Sequence, residues 1–304
     1  MNEIDPHNST SAELGRRAFI GLSVGAVAAT GAVTRAFSME LELGKPHPPF
    51  VAEDDPAISV ERPPLPVLTG ALDAYAAYPR AGPSSLPGIV LVQHVWGIDA
   101  QIRDTVRRLA KQGYVVVAPN LYAGLGAPNG DGATDYAPFA ASARKLSDSV
   151  VDRDVVAAAT WIRNRENAGP TQRPPKVGLM GFCMGGSLAL RAASETDAFD
   201  ALVVFYGSVR PADADKNGPI TDEMLAYTDH IHIPFMGQYG ARDTSISADD
   251  VRAMQKRLHV PNDIKIYGEA GHAFFDDTRE RYVASAANDA WQRTLHWFNK
   301  YLRS

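Results

Sequence analysis

A chain of 304 residues with 45% hydrophobic and 21% charged side chains can bury a substantial core, which excludes disorder throughout. Its 30 basic and 35 acidic residues leave a net charge of −5 and no electrostatic footprint for nucleic acid. The single cysteine, Cys183, excludes an intramolecular disulfide and a multi-thiolate zinc site, so its own purpose becomes the question.

The chain opens on what reads as an address. Arg16 and Arg17 precede an apolar, Gly/Ala-rich run from Ala18 to Thr34, with small residues at Thr34 and Ala36. This fits a secretory signal over 1–36 cleaved after Ala36. The adjacent arginines followed by Ala-Phe-Ile resemble the twin-arginine signal, which implies export of a folded protein to a bacterial periplasm. Membrane contact is expected only through this segment, if it stays uncleaved. Losing it removes Arg16, Arg17 and Arg35 together with Glu3, Asp5 and Glu13, so the charge stays at −5. In an oxidising compartment a lone thiol is a liability unless it is buried or used.

Between Lys45 and Pro66 stand Pro46, Pro48, Pro49, Pro56, Pro63, Pro64 and Pro66. Proline removes the N–H that helices and central strands need, so 37–66 reads as an extended tether and 67–304 as the globular domain. Within it the predicted elements alternate. Strand Ile89–Gln93 leads to helix Ala100–Gln112, and strand Tyr114–Ala118 ends at Pro119. The segment from Asn120 to Leu146, rich in Gly, Ala, Pro and Asp, is expected to form a loop over a site. Helix Val151–Arg163, strand Val177–Met180, a helix after Met184, and strands Leu202–Tyr206 and Pro234–Tyr239 follow. Ser247 and Asp250 look like a capping box for a helix to Leu258. Strand Ile264–Tyr267 and an amphipathic helix over 283–302 close the chain. Apolar strands alternating with helices predict an α/β fold with a mainly parallel sheet and helices on both faces.

Gly181-Phe-Cys-Met-Gly185 lies between a strand and a helix, the nucleophile-elbow pattern with cysteine in place of serine. The tight turn demands small neighbours, and the helix N-terminus favours a thiolate. The Met184 N–H would supply half of an oxyanion hole. A nucleophilic thiol needs a base, and the base an orienter. Asp243 and His272 each follow a predicted strand end, in the order nucleophile, acid, histidine. The remaining histidines other than His94 fall in the signal, the tether, helices or a loop, and read as surface or core residues. No metal-ligand cluster and no dinucleotide glycine loop appears, so neither metal nor cofactor is expected.

These motifs resemble the dienelactone hydrolase family. The resemblance covers about 67–304 and rests on Gly-Phe-Cys-Met-Gly-Gly at 181–186, Ala-Pro-Asn-Leu-Tyr-Ala at 118–123, Val-Phe-Tyr-Gly at 204–207, Ala-Gly-His-Ala-Phe at 270–274 and Tyr-Val-Ala-Ser-Ala-Ala at 282–287. It implies an α/β-hydrolase fold with Cys183 as nucleophile, His272 as general base, Asp243 as its orienter, and the N–H groups of Met184 and Val95 as oxyanion hole. It also implies a small-molecule ester or lactone as substrate.

Two departures stand out. Family members carry a glutamate that takes the proton of the resting thiol, where this chain has His94. His94 either accepts the same proton or shapes the oxyanion loop. Family members also hold a substrate carboxylate with arginines, one of them four residues past the histidine, where this chain has Asp276. Arg144 and Arg279 lie nearby but match neither position. The triad therefore transfers and the substrate does not. Trp96, Tyr122, Tyr206 and Phe274 are candidate pocket walls. A non-hydrolytic binding protein on the same scaffold, or an acyltransferase or thioesterase with the same triad, are the alternative readings.

Overall fold

The apolar runs at Gly88–Val92 (β4), Val115–Pro119 (β5), Val177–Phe182 (β6), Ala201–Phe205 (β7) and Phe235–Gly240 (β8) are buried along their whole length in the computed structural model. Residues 47–67, 70–81, 85–165, 174–211, 214–215 and 218–304 are described by the structure. The expected signal over 1–36 and the first part of the expected tether lie outside them. With Asn262–Tyr267 (β9), these strands pair in parallel in the order β5-β4-β6-β7-β8-β9.

Gly70–Pro79 (β3) extends the sheet antiparallel to β5. Ile58–Glu61 (β1) and Pro64–Val67 (β2) each pair antiparallel with a different half of β3. The expected tether therefore needs correction: from His47 onward it belongs to the fold. Its prolines are tolerated because β2 is an edge strand, with Pro64 and Pro66 exposed and Leu65 buried between them.

The helices are Ala100–Lys111 (α1), Ala137–Ala143 (α2), Asp148–Arg165 (α3), Met184–Glu195 (α4), Ala248–Arg257 (α5) and Ala284–Leu302 (α6). Two glycines show that they cover both faces. Gly88 pairs with Val177, and Gly178 with Ile89, so Gly88 and Gly178 face opposite sides of the sheet. A Cβ on Gly88 would meet Ile162 of α3, and one on Gly178 would meet Phe298 of α6. The Asn120–Leu146 segment carries the short helix α2 where only loop was expected. Ser247 caps α5 by accepting the Asp249 N–H, but Asp250 pairs with Arg210 at 2.5 Å instead of closing the box.

The arm at 47–51 is held by buried polar groups. Asp104 accepts the N–H groups of Phe50 (3.1 Å) and Val51 (2.9 Å), and Arg107 donates to the Val51 carbonyl (2.6 Å). Arg107 also stands 3.6 Å from Asp104, both nearly fully buried. Replacing Asp104 with alanine strands these donors together with a buried cation. Urea unfolding is expected to show a loss of about 3–5 kcal/mol. A loss under about 1 kcal/mol would mean that the arm contributes nothing to the domain's stability.

Candidate active site

Every parallel strand points its C-terminal end toward one edge, and the polar residues gather there. Cys183 follows β6 at φ 53° and ψ −119°, a left-handed conformation unusual for any residue but glycine. The other non-glycine residues with positive φ, Tyr206 after β7 and Ala273 after β9, lie at the same edge. The elbow is closed by backbone: a Cβ on Gly181 would stand 2.1 Å from the Gly185 carbonyl oxygen, and one on Gly185 would stand 2.4 Å from the carbonyl oxygens of Val92 and Gln93. Only glycine fits at either position. The Cys183 N–H donates to Phe205 (3.0 Å), fastening the turn to the neighbouring strand.

His272 Nε2 lies 3.0 Å from Cys183 Sγ, and His272 Nδ1 lies 2.7 Å from Asp243 Oδ2. Asp243 is itself fixed, its Oδ1 accepting the N–H groups of Ser245 (2.7 Å) and Ile246 (3.1 Å). Burial pushes the Cys183 thiol up, but the His272 hydrogen bond and charge outweigh it and the pKa ends below the usual thiol range, with the His94 charge and the Met184 N–H contributing. Burial likewise opposes a charge on His272, while its bonds to Asp243 and Cys183 raise it to about 10. The resting state these shifts favour is a thiolate–imidazolium pair.

The turn after β4 borders the thiol from the other side. His94 is buried, with Nδ1 accepting the Trp96 N–H (3.2 Å) and its carbonyl accepting the Gly97 N–H (3.1 Å). Its Nε2 stands 3.2 Å from Asp99 Oδ1, an ion-pair contact too oblique for a straight hydrogen bond. Burial resists protonation of this ring and the Asp99 carboxylate promotes it, with the balance toward a raised pKa. Desolvation also opposes the Asp99 charge, but His94, the Ile102 N–H and Arg279 hold its carboxyl below the usual range.

A cleft of about 830 Å³ opens over these groups. Cys183, His272, His94, Val95, Trp96 and Tyr206 line it, Trp96 and Tyr206 being two of the four expected walls. Two other expected walls need correction. Phe274 is fully buried behind the edge among Phe205, Tyr206 and Tyr267, and Tyr122 sits beneath the turn, its hydroxyl donating to the Val95 carbonyl (2.9 Å). Among the described residues, no three His, Cys, Asp or Glu side chains converge as a metal site requires.

A family model described as the dienelactone hydrolase family matches residues 72–302. The chain belongs to the dienelactone hydrolase family. A "Putative carboxymethylenebutenolidase" of Salmonella typhimurium is 35% identical over 257 residues, covering 84% of this chain and 92% of that protein. The protein of the same description from Escherichia coli is 35% identical over 255 residues, covering 83% and 91%. Among solved structures, the "Putative Dienelactone Hydrolase" of Klebsiella pneumoniae superposes with a TM-score of 0.69 at 31% identity, covering 81% of this chain and all of that one.

Within this dienelactone hydrolase fold, the residues that sequence reasoning missed are charged. Asp99 was not singled out, although an aspartate just before a helix signals an N-cap, which it is, accepting the Ile102 N–H at 3.2 Å. Arg279 was noted without a role. It lies 3.2 Å from Asp276, 3.8 Å from Asp99 and 4.0 Å over the Trp96 ring, and donates to the Ala133 carbonyl at 2.9 Å. Asp276 is consequently no free anion: besides Arg279, it accepts the Thr278 hydroxyl (2.6 Å) and N–H (3.1 Å). The sequence offered one hint, the three-residue spacing from Asp276 to Arg279. Arg144 does not line the cleft.

Proposed function

We propose that this member of the dienelactone hydrolase family hydrolyses neutral carboxylic esters or lactones, with Cys183 as nucleophile. The observation that carries the reading is the unbroken hydrogen-bonded line from Asp243 through His272 to Cys183 on the floor of the cleft. The thiolate attacks the carbonyl carbon, and the carbonyl oxygen takes up the charge facing the Val95 and Met184 N–H groups. Protonated His272 delivers its Nε2 proton to the departing alcohol oxygen as the thioester forms. The now neutral ring takes a proton from water, whose oxygen attacks the thioester. Collapse of the second tetrahedral intermediate releases the acid and restores the pair.

The charge of the cleft argues for the substrate class. The relatives' descriptions name a carboxymethylene butenolide, a carboxylate-bearing lactone. In this chain Asp99, Asp276 and Glu280 line the cleft against Arg279 and Arg281, and Arg279 is already committed to two of those carboxylates. Glu280 and Arg281 are both exposed, where solvent weakens either charge, which leaves the buried Asp99 and Asp276 facing Arg279. A panel of matched neutral and carboxylate-bearing esters and lactones tests this. Neutral members are expected to show kcat/KM at least equal to that of their anionic counterparts. An anionic preference above about tenfold would overturn the substrate reading while leaving the nucleophile in place.

A further inference from the structure

We infer that His94 is a positioning residue, which with Tyr122 holds the turn His94–Gly97 so that the Val95 N–H stays free for the oxyanion, and that it is not the proton acceptor for the Cys183 thiol. The inference rests on the proposed hydrolysis and concerns how this chain replaces the family's acidic residue.

The hydrogen bonds of the turn decide it. Of the three N–H groups that follow His94, the Gly97 N–H is taken by the His94 carbonyl and the Trp96 N–H by His94 Nδ1. The Val95 N–H has no acceptor among the described residues, yet Val95 lines the cleft beside Cys183. The Val95 carbonyl is engaged from behind by the Tyr122 hydroxyl at 2.9 Å, and burial pushes that phenol further up, so it remains a donor. The peptide that carries the Val95 N–H is therefore held through its own His94 carbonyl, and the next peptide is clamped at both its carbonyl and its N–H, so rotation of the Val95 N–H is resisted. A free N–H on a held peptide is the arrangement an oxyanion donor needs, because its dipole is oriented before charge develops.

The same bonds exclude His94 as acceptor for the thiol. Nδ1 has one lone pair, and the Trp96 N–H occupies it, which assigns the ring proton to Nε2. Nε2 lies against Asp99, whose other oxygen faces Arg279 at 3.8 Å. Neither nitrogen offers a lone pair to Cys183, whose own partner is His272 at 3.0 Å. An imidazole accepting the N–H two residues ahead does what an asparagine does in an Asx turn, and that likeness supplies the test.

Three variants, His94→Ala, His94→Asn and Tyr122→Phe, are compared with wild type. The readouts are kcat, KM and the pH profile of Cys183 alkylation by iodoacetamide. His94→Ala is expected to lose about 10- to 100-fold in kcat with little change in KM, and Tyr122→Phe to fall in the same direction. Tyr122→Phe should leave the alkylation profile where it is, while His94→Ala, which removes a charge that helps His272 hold the thiol's pKa down, should move it slightly to higher pH. His94→Asn, whose carboxamide oxygen can accept the Trp96 N–H, should recover most of the loss. If His94→Asn is as impaired as His94→Ala while Tyr122→Phe turns over like wild type, His94 acts on the thiol and not through the turn, and the inference fails. If Cys183→Ala retains full turnover, the proposed hydrolysis fails first, so the two failures are distinguishable.

Discussion

Replacing Cys183 with alanine is expected to lower kcat/KM for a small activated ester such as p-nitrophenyl acetate by about 10,000-fold or more, with the fold intact. The magnitude follows from the loss of the sulfur that forms the covalent intermediate in the proposed mechanism. His272 and Asp243 keep their hydrogen bond but have no nucleophile to serve. The fold should survive, because alanine accepts the same backbone strain at φ 53° as cysteine, with stability reduced only by the loss of the ion pair with His272. Two measurements check this together: steady-state hydrolysis, and mass spectrometry of acid-quenched wild type for an acyl adduct on the peptide holding Cys183. Full turnover by the alanine variant would assign the chemistry to water activated directly by a histidine. An adduct on another residue would move the nucleophile elsewhere.

How far the sequence reveals this molecule depends on which interactions are local. Strands β4 to β9 are legible because a parallel sheet covered on both faces leaves apolar runs such as Ile89–Val92 and Val115–Val117. The elbow is legible because its geometry forbids any Cβ at Gly181 and Gly185, which fixes the residue types around Cys183. Asp243 and His272 follow from chain order. The antiparallel edge is not legible. Gly70–Pro79 is rich in alanine and carries Asp73, and it becomes a strand through its pairing with β5 and β1. The prolines of β2 disguise an edge strand as a tether for the same reason, since only the partner's position shows which N–H groups are dispensable. The roles of Tyr122, Arg279 and Phe274 depend on where loops distant in sequence meet. A tyrosine under a turn and one facing a cleft look alike until the Val95 carbonyl is located.

The second large effect concerns the proton. His272→Asn is expected to lose turnover by about 10,000-fold and also to move the alkylation profile of Cys183 to higher pH. In wild type the thiol's pKa is lowered mainly by His272 against the opposing effect of burial. With His272 gone, burial, the largest influence, is opposed only by the His94 charge and the Met184 N–H, and the thiolate becomes the disfavoured form. The sign of each shift sets the window. Because the folded pKa of His272 is raised to about 10, its contribution to stability is full below the unfolded histidine value and is lost as pH rises through about 10. Because the folded pKa of Cys183 is lowered, its contribution is present above the unfolded thiol value and is lost as pH falls through the lowered one. These are two sides of one ion pair, so wild-type alkylation should be fast and nearly flat between the lowered thiol pKa and about 10. In His272→Asn the plateau should vanish, with a rate near neutrality reduced about 10- to 100-fold and climbing only in alkali. An unchanged profile in that variant would place the source of thiolate stabilisation in the His94 charge, the Met184 N–H and the start of α4. His272 would then act only on the leaving group and on water. Asp243→Asn separates the two contributions further: it leaves the ring in place but removes the carboxylate that raises its pKa, so the upper edge of the plateau should fall below about 10 while the thiol keeps a partner.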